Sequence, residues 1–106
     1  MSTHDQHILD LIKSTIHEKD AEAEVILFGS RARGQENKQS DWDILILLNT
    51  NEVNRETEKE YREALFEVAL ETGEAISTFV FSKQEWESKH LLSPLFQNIQ
   101  KEGIYL

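Results

Sequence analysis

The hydrophobic positions of this chain switch between a helical period and unbroken apolar runs, and the switches mark out its elements. Ile8, Leu9, Leu11, Ile12 and Ile16 recur at helical spacing, so residues 5–19 read as an amphipathic helix that Ser2, Thr3 or Asp5 could cap. Residues 24–28 (EVILF) and 43–48 (DILILL) are almost continuously apolar, as expected of short strands covered on both faces, and the second belongs at the centre of a sheet. Residues 52–72 return to the helical period, with Tyr61, Leu65, Val68 and Ala69 as the buried stripe. The first half of that helix has Val53 as its apolar residue and should barely touch the core. Residues 75–82 (AISTFVFS) are rich in β-formers and predict a third strand. Ser82 and Glu85 stand at capping-box spacing, so a short helix over residues 83–89 follows, with Trp86 in the core. Ser93-Pro94 opens a last helix that Gly103 stops, and Ile104, Tyr105 and Leu106 should dock as an edge strand.

Between the first two strands lies a polar insertion. Ser30 can cap a short helix over Arg31, Ala32 and Arg33, and Gly34 can end it in a left-handed conformation. Residues 35–39 are hydrophilic and read as a mobile loop. The order α-β-(short α)-β-α-β-α-α implies an α/β (α+β) fold, a small mixed sheet of three to four strands with helices packed on it. It fills one domain spanning residues 1–106.

Charge and composition narrow the function. A formal net charge of -9 argues against a broad, sequence-independent grip on nucleic acid, which needs a basic face. It leaves room for a nucleotide whose charge is carried on magnesium. The chain has no cysteine, which removes disulfides, thiolate metal sites and cysteine catalysis, and fits a cytoplasmic location. The first residues do not read as a secretory signal, and no apolar run approaches a membrane span. His4, His7, His17 and His90 have no zinc-like spacing. Glu56, Glu60, Glu63, Glu67 and Glu71 form an acidic flank on the longest helix, either a solvated face or a docking face for a partner.

The stretch with chemistry in it is residues 24–48. An apolar strand ends at Gly29-Ser30, and Asp41-Trp42-Asp43 begins the next one. Two residues apart on a strand, Asp41 and Asp43 point to the same face, roughly 6.5 Å apart. Carboxylates so placed can share one hard cation or bracket two. Gly29 allows close backbone approach, and Ser30 with the amides that follow offers donors to a phosphate. Taken alone, an Asp-x-Asp or a Gly-Ser is common in solvated loops. The joint pattern is specific.

That pattern, Gly29-Ser30, ten residues, Asp41-x-Asp43, resembles the signature of the DNA polymerase beta-like nucleotidyltransferase superfamily. The fuller form, Gly29-Ser30-Arg31-Ala32-Arg33-Gly34 followed by Ser40-Asp41-Trp42-Asp43, resembles its minimal nucleotidyltransferase branch, and the order of elements matches that palm-like fold. The resemblance implies transfer of a nucleoside monophosphate from an NTP, ATP by preference, to a hydroxyl. Asp41 and Asp43 would hold Mg2+, with two ions if a third ligand is supplied otherwise. Gly29, Ser30, Arg33 and Ser40 would bind the nucleotide, although Arg31 and Arg33 could instead pair with local acids. Members of this size often sit beside HEPN-type proteins, and some act as antitoxins by adenylylating the toxin. A protein partner of that type, or a homo-oligomer, is therefore expected.

One position departs from the family. Its catalytic members carry a third carboxylate on the next strand, whereas residues 75–81 here contain no acid, and Ser77 or Thr78 stands at the expected place. Glu74 could substitute only if the strand register were shifted. Without that group a metal–nucleotide complex could form while the general-base step weakens, which leaves a nucleotide- or partner-binding module as the alternative.

Overall fold

The computed structural model describes residues 2–35, 37, 39–89 and 93–106. Its elements run α1 (Thr3–Lys19), β1 (Glu24–Phe28), β2 (Trp42–Leu48), α2 (Arg55–Thr72), β3 (Ile76–Ser82), α3 (Lys83–Lys89), α4 (Pro94–Glu102) and β4 (Ile104–Tyr105). They build a four-stranded mixed sheet in the order β3-β2-β1-β4. β1 pairs antiparallel with both β2 and β4, while β2 and β3 are parallel. The parallel pair requires a crossover, and α2 supplies it.

The unbroken apolar runs of β1 and β2 are explained by two covered faces. Trp42, Ile44, Ile46 and Leu48 point to one side, with Val25 and Leu27 of β1, and meet Ile8, Ile12 and Ile16 of α1 and Tyr61, Leu65 and Val68 of α2. Leu45 and Leu47 point to the other, with Ile26 and Phe28, and meet Trp86 of α3 and Phe96 and Ile99 of α4. Asp43 begins this second series and is only half-buried.

Local signals fix the boundaries. Among the three candidate caps of α1 it is the Ser2 hydroxyl that accepts from the Asp5 amide. Asn54 caps α2 in the same way, so that helix starts three residues later than its apolar period suggested. Ser82 accepts from the Glu85 amide at 2.9 Å, and Ser93 from Phe96 with Pro94 behind it. The C-terminal strand pairs on β1 through Ile26–Tyr105 and Leu27–Ile104.

One element differs from the sequence reading. Residues 30–34 form a turn, not a helix. Ala32 and Arg33 both donate to the Gly29 carbonyl, and Gln35 donates back to the Ser30 carbonyl at 2.9 Å. Gly34 adopts φ +72°, which closes the turn in the Schellman manner after a single winding. Of the stretch 35–39, residues 36 and 38 lie outside the described residues, as does His90; Asn37 exchanges bonds with Ser40 in both directions.

Candidate active site

Three strands bring the site together at one end of the sheet. Asp43 lies opposite Phe28 in β1 and opposite Ser77 in β3. Gly29 follows Phe28, so the turn and the Asp43 carboxylate are forced into contact. A Cβ on Gly29 would overlap the Asp43 carboxyl group, and the residue has φ +80°. Only glycine meets both conditions. Asp41 stands just before β2, and its Oδ2 accepts from the Ser77 hydroxyl at 3.0 Å.

Electrostatically the pair is under-compensated. Burial pushes the Asp43 carboxyl above its ordinary 3.8, the neighbouring Asp41 charge pushes it the same way, and Arg33 opposes them. Among the described residues neither aspartate is within ion-pair distance of a cation. The Arg33 guanidinium bonds the Glu102 carboxylate at 3.2 Å and the Gln35 side chain at 3.1 Å, so it acts on Asp43 from a distance. At the turn, the amides of Ser30 and Arg31 bond no other group among the described residues. Two free amides beside a glycine are the donors an anionic oxygen needs.

On the other face of the same strand end the charged side chains meet partners from the fold. The Arg31 side chain is 6% exposed and stacks on the buried Trp42 indole, with its guanidinium carbon 4.1 Å from the ring centroid. Its Nε donates to the Ser40 carbonyl at 3.0 Å, which holds the loop entering Asp41. Glu74 faces it at 3.8 Å, takes a bond from the Trp42 indole nitrogen and another from His4, and its carboxyl is held below the usual range chiefly by the His4 bond. Asp5 lies near Arg31 as well. Arg31 thus pairs with local acids, one of the two roles open to it.

The register of β3 decides the question of the third acid. Ser77, beside Asp43 and bonded to Asp41, takes that place. Thr78 is buried on the opposite face, opposite Ile44. Glu74 is spent on Trp42, Arg31 and His4, away from the aspartates. Among the described residues no three acids or histidines are grouped as metal ligands. Two carboxylates suit one hard cation that completes its shell with water and phosphate oxygens; they do not by themselves suit two. The Ser40 hydroxyl accepts from the Asn37 amide, shaping the loop. Sequence reasoning did not foresee the Phe28–Phe79 ring contact beside the pair, at 5.5 Å between centroids; the alternation of β3 was the signal that could have shown it.

A glycine turn with free amides is set against paired carboxylates on a central strand of a small mixed α/β sheet. Residues 9–105 match the family model of the nucleotidyltransferase domain. The chain belongs to that family. Its fold is shared by a chain of a toxin-antitoxin structure containing AMP-PNP, with TM-score 0.63, 18% identity, and coverage of 91% of this chain and 69% of that one. A chain from a mutant of the toxin-antitoxin pair MntA-HpeT is similar at TM-score 0.56 and 20% identity, covering 96% of this chain and 70% of the other. No curated protein matches it.

Proposed function

We propose that this chain is a magnesium-dependent nucleotidyltransferase that moves AMP from ATP to a hydroxyl on a protein partner. The observation that carries the reading is the uncompensated Asp41–Asp43 pair set against the Gly29 turn. Asp41 and Asp43 would hold Mg2+, which supplies charge neutralisation on the phosphates. The Ser30 and Arg31 amides would receive the phosphate oxygens and Gly29 would admit them, while Ser40 and Arg33 support the turn from behind. Transfer of this kind is mostly positioning and charge stabilisation, so few groups are needed. The toxin-antitoxin neighbours favour a HEPN-type toxin as acceptor, with this chain as antitoxin, in the cytoplasm.

Ser77 favours a second reading, a module that binds nucleotide or partner with little turnover, because no carboxylate stands where a general base would. One assay separates the two. Labelled ATP and Mg2+ are incubated with the chain and the product of the adjoining gene, and covalent label is followed. Transfer that disappears in Asp41→Ala and Asp43→Ala supports the enzyme, and Ser77→Asp should then raise the rate by on the order of 100-fold. Nucleotide binding without label on the acceptor leaves the module. Failure to bind Mg–ATP sinks the enzyme and the nucleotide-binding module alike and leaves partner binding alone.

A further inference from the structure

The geometry points to the groove along the free edge of β3 as the docking site of the acceptor, a polypeptide segment that presents its hydroxyl past Ser77. The inference rests on the nucleotidyl-transfer reading and adds the direction of attack and the surface that receives the acceptor. In that reaction the acceptor oxygen bonds to the α-phosphorus as the bridging oxygen to the β-phosphorus departs. The two oxygens lie roughly in line. Here the leaving side is set by the fold. The phosphate-receiving turn, Gly29–Ser30, is at the end of β1, on one flank of the β2 carboxylates. The attacking oxygen must therefore come from the other flank, which is β3. Pyrophosphate leaves on the β1 side, and the hydroxyl proton passes to solvent, since β3 carries no acid to take it.

The β3 flank has the features of an interface. A groove of about 430 Å³ opens there, lined by Arg62, Phe66, Ile76, Ser77, Thr78 and Phe79. Ser77 joins it directly to Asp41. Phe66 is 60% exposed and Phe79 36%, and one helical turn beyond Phe66 on α2 stands Leu70, 69% exposed. Among the described residues β3 is the last strand on its side of the sheet, with no further strand paired to it. Exposed edges are normally blunted by charges, proline or shortness. The opposite edge, β4, is two residues long, but β3 runs seven residues, ISTFVFS, without a charge or a proline. An extended peptide can use such an edge and seat its apolar side chains against the two phenylalanines. The net charge of -9 repels a nucleic-acid backbone, and Arg62, the charged residue of the groove's lining, is already bonded to Glu58 at 2.7 Å, which leaves the groove to a polypeptide.

The absence of cysteine gives a clean test. Phe66→Cys is modified with a bulky maleimide and compared with Glu22→Cys, exposed and distant, carrying the same label. The probe for the acceptor is the product of the adjoining gene, and three quantities are read: Mg–ATP affinity, acceptor binding without nucleotide, and the KM for acceptor in transfer. The label at position 66 should weaken acceptor binding and raise KM by at least about tenfold, the scale of losing a central aromatic contact, with Mg–ATP affinity unchanged. The label at position 22 should alter none of them. Unchanged acceptor binding overturns the proposal and leaves nucleotidyl transfer standing. Lost Mg–ATP affinity also overturns it, since the groove would then hold the base. Dimers of this chain broken by the position-66 label would put a second copy on the edge and overturn it too. A wild-type chain that labels no acceptor removes the transfer reading and this proposal with it.

Discussion

At the start of β2 the two faces of one strand treat charge in opposite ways. On the Trp42 face, Arg31, Glu74, Asp5 and His4 form a closed set, with the indole stacked inside it. One residue away on the other face, Asp41 has a serine hydroxyl and Asp43 a distant guanidinium. Both sets meet at the first residues of β2, and both contain two carboxylates. The difference is whether the fold itself supplies the counter-charge. Where it does, the charges fasten α1 and the loop to the sheet; where it does not, a surplus of negative charge remains, and the proposed cation site rests on it.

The comparison breaks most sharply at Arg31. Arg31→Ala leaves Glu74 and the Ser40 carbonyl without their cation and should cost about 3 kcal/mol, the scale of breaking a buried pair. Urea denaturation would show it, and an unchanged midpoint would mean the closed set is not what holds that face. Next is Gly29→Ala, which collides with the Asp43 carboxyl and strains a left-handed backbone. We expect a loss of about 2 kcal/mol, together with weaker Mg–ATP binding by titration calorimetry; intact binding would show that the turn does not face the phosphates.

The smallest effect has the opposite sign. The folded chain holds the Asp43 proton more tightly than the unfolded chain, because its carboxyl lies above the ordinary 3.8. Stability from this group is therefore greatest below 3.8 and declines as pH climbs through the raised value. Asp43→Asn removes the decline and should raise the melting temperature at neutral pH by roughly 1–3 °C, while cation binding is lost. A lower melting temperature would show the carboxylate to be compensated after all. In the wild type, cation affinity should fall as pH drops through the same raised value, since proton and cation compete for one carboxyl.

Much of this was legible in the residues. The apolar runs of β1 and β2, the capping serines at positions 2, 82 and 93, and Gly34 each carry their own physical instruction, and the observed elements follow them closely. The Gly29-Ser30 and Asp41-Trp42-Asp43 pieces were also visible, because an i, i+2 pair on a strand must share a face. Less legible was the turn at residues 30–34, where capping chemistry suits either a short helix or one winding closed by glycine.

The sequence by itself determined which residues are apolar, roughly where the strands and the main helices lie, and that two carboxylates follow a glycine turn. These are local matters of period, capping and backbone freedom. Only the tertiary structure decided which acids Arg31 and Arg33 meet, that Ser77 rather than Thr78 or Glu74 faces the aspartates, and that β3 lies at an edge of the sheet. Those depend on strand register and order. A one-residue slip of β3 would have turned Thr78 to the aspartates and buried Ser77, and nothing local to either residue forbids it.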